Sequence, residues 1–203
     1  MKKNRISKNW INKQRRDIYV RRSKVDGYRS RSAYKLIEID EKFKIFKNGI
    51  SVIDLGSAPG SWSQYLSKKI KNSKIVSIDL REMEAIDNTI QVLGDFTEEK
   101  NQSKIKSFFK SNVDVVLSDM AVNTTGNKNI DSIYTGELCI EAMLFSKKIL
   151  NNDGKFISKI FMGSTFNEII TEAKLIFREV KVFKPKSSRK DSKESFIICK
   201  NLR

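Results

Sequence analysis

The sequence predicts one doubly wound α/β domain, and three observations lead to that prediction. Short apolar runs alternate along the chain with longer stretches whose apolar residues recur at helical spacing. Several of the short runs end at an acidic residue, where a strand would enter a loop. The 203 residues suit a single core, and the sequence contains no internal repeat and no long linker. Strands that alternate with helices form a mostly parallel sheet with helices on both faces.

The first part of this pattern predicts two helices and four strands. Ala33, Leu36 and Phe43 lie near helical spacing, and a second helical stretch starts at Trp62, after a glycine-rich turn. The apolar runs that follow are short enough for strands, and one of them closes on Asp79. The predicted elements are a helix over residues 32–46, a strand over 50–55, a helix over 62–70, and strands over 74–80, 91–93 and 113–117.

The second part predicts two more helices and three more strands. A long helical pattern is stopped by Asn-Asn-Asp-Gly at residues 151–154, a sequence typical of a turn. The two last strands are expected to pair as an antiparallel hairpin at one edge of the sheet. The predicted elements are a helix over residues 135–150, a strand over 155–161, a helix over 166–177, and strands over 180–183 and 196–199.

Ionisable side chains stand at the carboxyl ends of the predicted strands. They are Asp54, Asp79, Asp95, Asp119 and Lys159. In open α/β sheets a ligand binds just outside these ends, at the point where the strand order reverses. One acid after a strand is ordinary loop chemistry, but five ionisable groups at successive strand ends indicate a ligand site.

The turn after the first strand is the strongest candidate for a cofactor loop. Residues 52–60 read Val-Ile-Asp-Leu-Gly-Ser-Ala-Pro-Gly, and glycines in such a turn let the backbone approach a ligand closely. The loop has neither the Gly-x-Gly-x-x-Gly of dinucleotide-binding proteins nor the Gly-Lys-Ser/Thr of a phosphate-binding loop. Asp79 is placed to accept hydrogen bonds from ribose hydroxyls, and Asp95 to reach an adenine amino group. A structural turn without a ligand is the alternative.

Positive charge is concentrated at the two ends of the chain. Of the net +16, residues 1–35 carry +11 and residues 181–203 carry +6, whereas residues 36–180 carry −1. The first segment combines arginines, which suit phosphate contacts, with aromatic rings that can stack on bases. We therefore expect nucleic acid as partner; a solvated lysine-rich surface is the alternative, and a membrane is disfavoured because no amphipathic stripe is present. The residues concerned are Trp10, Arg15, Arg16, Tyr19, Arg21, Arg22, Tyr28, Arg29, Arg31 and Tyr34.

Several classes of protein are excluded by what the sequence lacks. Without histidine there is no Ser-His-Asp or Cys-His catalysis and no histidine-ligated metal. Cys139 and Cys199 are far apart in sequence and form no Cys-x-x-Cys pair, so we expect neither a zinc site nor a disulfide. No apolar run has the length of a membrane span, and the N-terminus lacks a signal-peptide core. We expect a cytoplasmic protein.

Four ordered segments resemble a known family. Residues 54–64, Asp-Leu-Gly-Ser-Ala-Pro-Gly-Ser-Trp-Ser-Gln, resemble the D-L-G-A-A-P-G-G-W-S-Q signature of the FtsJ family of S-adenosylmethionine-dependent ribose methyltransferases. Residues 29–36, 117–123 and 184–196 resemble further motifs of that family, and the resemblance runs from about residue 19 to residue 199. Three positions depart from the family pattern, with Ser61 in place of glycine, Val122 in place of proline and Phe196 in place of tyrosine.

The resemblance implies a Rossmann-like methyltransferase fold and a catalytic Lys-Asp-Lys-Glu tetrad, which falls on Lys35, Asp119, Lys159 and Glu194. A ribose hydroxyl is a poor nucleophile, so the enzyme must align it with the methyl group and remove its proton. Without histidine, a lysine is the candidate base. We expect Lys159 to be the base, Asp119 to orient it and neighbour the cofactor, and Lys35 and Glu194 to position ribose and phosphate.

The resemblance also implies the cofactor and the substrate. The donor is S-adenosylmethionine, no metal is needed, and the compact length is most similar to bacterial members that methylate a uridine of large-subunit ribosomal RNA. We expect a monomer that acts on ribosomal RNA within the large subunit, with a basic RNA-binding extension over residues 1–30 and a methyltransferase domain over residues 31–203. The expected cofactor-binding residues are Gly56, Ser57, Pro59, Gly60, Trp62, Asp79, Asp95 and Asp119.

Three alternatives to this interpretation follow from the sequence. A transfer-RNA ribose methyltransferase of the same family would carry the same catalytic residues. A non-catalytic RNA-binding protein of this fold would need only the basic ends, although the presence of all four tetrad residues argues against it. A nucleotide-dependent dehydrogenase is the most distant interpretation, because the Gly-x-Gly-x-x-Gly pattern is missing.

Overall fold

The computed structural model describes residues 14–121 and 128–203. The predictions made for Trp10, for Val122 and for the basic residues before residue 14 lie outside the described residues. In the described part of the chain, none of the helices has the length and apolarity needed to cross a membrane.

Helices and strands alternate along most of the described chain. The helices are α1 (Ile18–Val25), α2 (Ala33–Phe43), α3 (Ser61–Lys69), α4 (Glu99–Ser107), α5 (Lys128–Ile149) and α6 (Phe166–Ile176). The strands are β1 (Ser51–Leu55), β2 (Lys74–Asp79), β3 (Thr89–Leu93), β4 (Val113–Ser118), β5 (Leu150–Phe161), β6 (Phe177–Phe183) and β7 (Glu194–Leu202).

The strands form one seven-stranded sheet in the order β3-β2-β1-β4-β5-β7-β6. Strands β1 to β5 are parallel to one another, and β7 pairs antiparallel with both β5 and β6. The order reverses between β1 and β4, which is the switch point of a doubly wound sheet. The predicted fold class, a mostly parallel sheet with a C-terminal antiparallel hairpin, is confirmed.

Two apolar layers bury the faces of the sheet. On one face, α2 and α3 pack through Leu36 and Leu66. On the other face, α4, α5 and α6 pack through Ile105, Met143 and Ile169. Because helices cover both faces, the carboxyl ends of the strands are left as the edge at which a ligand can bind.

Two predictions around residue 150 are wrong in detail. The helix predicted to begin at residue 135 begins at Lys128, and residues 151–154, predicted as a turn, belong to β5. Leu150 pairs with Val113 and Lys155 pairs with Val115, so the polar residues between them bulge out of the ladder. The Asn151 amide donates to Asp114 Oδ1 at 3.1 Å, which ties this bulge to β4.

The sequence pattern also misses two helices and extends a third. Helix α1 buries only Ser23 and α4 buries only Asn101 and Ile105, so neither has an apolar stripe that periodicity could detect. The helix predicted to reach residue 46 ends at Phe43, because Lys44 adopts the left-handed conformation that caps it.

Candidate active site

The four predicted catalytic residues lie together in one chain of ionic contacts. Lys159 Nζ lies 3.1 Å from Asp119 Oδ1 and donates to the Asp119 backbone carbonyl at 2.5 Å. Lys35 Nζ lies 3.6 Å from the same Asp119 oxygen and donates to Glu194 Oε2 at 2.8 Å. The order of contacts is therefore Lys159, Asp119, Lys35, Glu194, with positive and negative groups alternating.

Four different elements bring these residues to the switch point. Asp119 directly follows β4, and Lys35 lies in the first turn of α2. Lys159 lies in β5 opposite Phe196, and Glu194 begins β7 opposite Phe161. The antiparallel register of β5 and β7 therefore places Glu194 and Lys159 near the same end of the sheet.

The two middle members of the chain stabilise each other's charge. Burial favours the neutral carboxyl of Asp119, but the ammonium groups of Lys159 and Lys35 and a hydrogen bond from Ser32 outweigh it and lower the pKa of Asp119. Burial likewise disfavours the charge of Lys35, but the carboxylates of Asp119 and Glu194 outweigh it and raise the pKa of Lys35. The structure thus favours a charged Asp119–Lys35 pair.

Two serines that the sequence did not single out complete the network. Ser32 Oγ donates to Asp119 Oδ2. Ser188 Oγ donates to Glu194 Oε1 at 2.6 Å. Each carboxylate of the network therefore has a lysine on one oxygen and a serine on the other. Both serines lie in segments that resemble family motifs, which is the one signal that could have indicated them.

A cavity of about 640 Å³ opens beside Asp119 and Lys159 and contains most of the predicted strand-end acids. Gly56, Asp79, Asp95, Asp119 and Lys159 all line it, together with the apolar side chains of Phe96 and Met120. Its volume is in the range of small-molecule sites, and its mixture of carboxylates with apolar walls suits a nucleoside.

A second, smaller cavity of about 70 Å³ shares Gly56, Ala58 and Asp119 with the first. Among the predicted cofactor residues, Ser57, Pro59 and Trp62 line it, whereas Gly60 lines neither cavity and precedes α3 as its N-cap. Trp62 is nearly buried, and its indole N–H donates to the Ser32 carbonyl at 2.9 Å. Trp62 therefore also supports the loop that carries Ser32.

The cofactor loop is shaped by glycine at residue 56. Gly56 has a φ of 67°, and a Cβ built there would lie 2.0 Å from Met120 Cγ. No side chain fits at this point without moving Met120, which itself lines the larger cavity. Gly56 therefore lets Met120 pack directly against the loop at the wall of the larger cavity.

The predicted ribose-binding acid is held by backbone groups. Asp79 Oδ2 accepts from the Ala58 N–H at 2.8 Å, and Oδ1 accepts from the Arg81 N–H at 2.9 Å. Asp95 is held in a similar way, since its Oδ1 accepts from the N–H and hydroxyl of Thr97. Both carboxylates are therefore oriented before any ligand binds.

Arg29 and Tyr34 of the basic segment make contacts within the protein and not the expected contacts with nucleic acid. The guanidinium of Arg29 donates to the carbonyls of Pro59, Glu84 and Ala85 at 2.9 to 3.1 Å, so it fastens the cofactor loop. Tyr34 is buried, and its hydroxyl donates to Asp26 Oδ2 at 2.7 Å. The prediction that Tyr34 offers a face for base stacking is wrong, because its ring packs inside the protein.

Asp54, at the end of β1, is a fully buried carboxyl in the wall of the smaller cavity. Burial, assisted by the charges of Asp119 and Asp79, raises its pKa to about 7, against a hydrogen bond from Ser63 Oγ at 2.7 Å. Below neutral pH, Asp54 is therefore mainly the neutral acid.

We expect the contribution of Asp54 to the stability of the protein to fall as the pH rises from about 4 to about 7. A carboxyl whose pKa is higher in the folded than in the unfolded chain stabilises the fold fully below its unfolded value, here 3.8, and that stabilisation is lost up to about 7. Denaturant unfolding across this interval measures the effect. Asp54→Asn should flatten the dependence, whereas exposed Asp153→Asn should not; equal slopes for the two variants would contradict the assignment.

Comparisons with known proteins place this geometry in a family. The model of the FtsJ-like methyltransferase family matches residues 28–202. The chain is 74% identical over its full length to Ribosomal RNA large subunit methyltransferase E of Pelagibacter ubique, which it also covers completely. It is 47% identical to the protein of the same name from Rickettsia bellii, over 96% of this chain and 88% of that one.

A solved structure agrees with the sequence comparisons. A protein described as a ribosomal RNA methyltransferase from Plasmodium falciparum has a TM-score of 0.77 and 34% identity, over 86% of this chain and 98% of that one. The resemblance found in the four sequence motifs is therefore confirmed by the whole chain. The chain belongs to the FtsJ-like methyltransferase family.

Proposed function

We propose that the protein transfers a methyl group from S-adenosylmethionine to the ribose 2′-hydroxyl of a uridine in large-subunit ribosomal RNA. The observation that carries the proposal is the contact between Lys159 and Asp119 at the wall of the larger cavity, because it puts a candidate proton acceptor beside the candidate cofactor site. The two named relatives support large-subunit ribosomal RNA as the substrate.

The residues of the larger cavity fit S-adenosylmethionine. Asp79 would hold the ribose hydroxyls and Asp95 the adenine amino group, since both carboxylates are already oriented by backbone N–H groups. A Cβ at residue 56 would displace Met120, which lines the same cavity, so Gly56 preserves the shape of the cavity wall. When bound, the cofactor supplies an electrophilic methyl group on a sulfonium.

Within the tetrad, we assign proton removal to Lys159. Its Nζ is buried at the cavity wall, and Asp119 fixes its position through both the carboxylate and the backbone carbonyl. To accept the hydroxyl proton, Lys159 must first release the proton of its ammonium group. Lys35 and Glu194, joined at 2.8 Å, would position the ribose and its phosphate.

The basic N-terminal segment would bind the RNA. We assign this role to residues 1–30, as an extension of the methyltransferase domain of residues 31–203, on the strength of the charge of +11 over residues 1–35. In the described part, Asp17 forms ion pairs with Arg31 and Arg189, which joins the segment to the body. We propose a monomer that acts in the cytoplasm, without a metal ion, on RNA within the large subunit.

Methyl transfer to defined RNA tests the proposal. Purified protein with radiolabelled S-adenosylmethionine should label large-subunit RNA from cells that lack the enzyme, and nuclease digestion should yield one 2′-O-methyluridine. Labelling of transfer RNA alone would favour the alternative substrate. RNA binding without any labelling would favour a non-catalytic protein and overturn the proposal.

The cofactor site makes a separate prediction. Asp79→Ala should weaken binding of S-adenosylmethionine by about 1–3 kcal/mol, because the ribose hydroxyls lose a charged acceptor. Calorimetry measures the change, with exposed Asp87→Ala as the matched control. Unchanged affinity in Asp79→Ala would remove Asp79 from the cofactor site.

A further inference from the structure

A third cavity, of about 760 Å³, lies where the two basic ends of the chain meet. Residues just before and within α1 form one side, and residues of the loop between β6 and β7 form the other. The tetrad residues do not line it. We call it the basic cleft, and its cationic lining residues are Arg16, Arg31, Lys186, Arg189 and Lys190.

The charge of the basic cleft is strongly positive. Five cations face two carboxylates, those of Asp17 and Asp191. Asp17 is already engaged, because Oδ1 caps α1 and Oδ2 pairs with both Arg31 and Arg189. The side chains of Lys186 and Lys190 are exposed at the cleft. The cleft therefore has cationic groups available for an anionic ligand.

The arginine at the back of the cleft has an unused donor. Among the described residues, Arg31 Nε is buried and has no hydrogen-bond partner, although Nη1 and Nη2 donate to Asp17 and to the Ser187 carbonyl. The contacts with Asp17 and Ser187 hold the guanidinium at the wall of the cleft, and 15% of the Arg31 side chain is exposed.

A direct chain of contacts joins the basic cleft to the tetrad. Arg31 holds the carbonyl of Ser187, and the next residue, Ser188, lines the cleft and donates to Glu194 at 2.6 Å. Glu194 in turn accepts from Lys35 at 2.8 Å. A group bound in the cleft is thus separated from the proposed ribose-positioning pair by a single serine side chain.

We propose that the basic cleft binds a phosphodiester of the RNA strand adjacent to the methylated ribose and so sets which nucleotide enters the active site. The inference rests on the proposed function and adds to it a specific substrate-binding site. In an RNA strand each ribose lies between two phosphates. A ribose placed at Glu194 therefore has an adjacent phosphate on the side of the cleft. The planar guanidinium of arginine can donate two parallel hydrogen bonds to phosphate oxygens. The lysine ammonium groups at the rim add positive charge without a fixed hydrogen-bond geometry.

The test compares two double variants that remove the same charge. Lys186→Gln with Lys190→Gln changes the rim of the cleft, and Lys104→Gln with Lys106→Gln changes exposed lysines on α4. Binding of a short single-stranded oligouridylate is followed by fluorescence anisotropy over a range of KCl concentrations. If two phosphate contacts are lost, the slope of log K against log salt falls by about 1.4 for the cleft variant, and the control keeps the slope of the intact protein.

Methyl transfer gives a second readout. For the cleft variant, KM for RNA should rise several-fold while the affinity for S-adenosylmethionine stays unchanged. Inorganic phosphate should compete with the oligonucleotide only weakly, because a free ion lacks the neighbouring nucleotides; competition as strong as that of RNA would indicate a site for free phosphate instead. Equal salt slopes for the two double variants would overturn the proposal. Failure of the intact protein to methylate RNA would instead overturn the proposed function.

Discussion

Lys159→Ala should lower the rate of the chemical step by roughly 10²- to 10⁴-fold, the range expected when a general base is removed. Lys159 is the tetrad lysine that lines the larger cavity, and its Nζ is fixed by two contacts to Asp119. Single-turnover methyl transfer with saturating cofactor and RNA measures the step directly. Lys147→Ala, an exposed change on α5, should keep the full rate.

The Lys159→Arg variant distinguishes two roles for Lys159, that of a proton acceptor and that of a fixed positive charge. A guanidinium can replace the contact with Asp119, but it does not release its proton near neutral pH. The variant should therefore be nearly as slow as Lys159→Ala. If Lys159→Arg keeps most of the single-turnover rate, Lys159 acts as an orienting cation and the base lies elsewhere.

The central strands and the position of the site could be predicted from sequence alone. Parallel strands are buried on both faces, so β1, β2 and β4 appear as nearly continuous apolar runs. Each run has an acidic residue, Asp54, Asp79 or Asp119, at or next to its carboxyl end. The topology then places all three acids at one edge of the sheet.

The tetrad could not be predicted from periodicity. Lys35 and Glu194 are 159 residues apart and meet only because α2 and β7 both reach the switch point. The family resemblance identified the two residues, and the structure shows that they are in contact. The serines that hold the two carboxylates were missed because one hydroxyl in a serine-rich segment carries no distinctive pattern.

Contacts with backbone carbonyls have even less sequence signal. Arg29 was expected to bind phosphate because of its neighbours in sequence, yet it donates to carbonyls that any residue type could provide. Tyr34 was expected to face RNA for the same reason, and its burial depends on the packing of Tyr19 and Tyr28. Composition identified a basic segment but could not separate its structural residues from its exposed ones.

Asp119→Asn should affect catalysis and stability together. Asp119 is the shared partner of two nearly buried ammonium groups, and its loss leaves Lys35 with Glu194 only and Lys159 with a backbone carbonyl. Removing one member of a buried ionic network typically costs about 3–5 kcal/mol, because the remaining charge is not compensated. We therefore expect a loss of this order in the free energy of unfolding and no measurable methyl transfer.

The pH dependence distinguishes this loss from a simple packing defect. The neighbouring lysines lower the pKa of Asp119 below 3.8, so its contribution is complete above that value and is lost as the pH falls through the folded-state pKa. The difference between the intact protein and Asp119→Asn should thus be full at neutral pH and shrink below about pH 4. Denaturant unfolding at both pH values, with exposed Asp87→Asn as control, measures it. If the difference in free energy of unfolding stays constant below about pH 4, Asp119 stabilises the fold by its shape and not by its charge. The charged network would then not be what holds Lys159 in place.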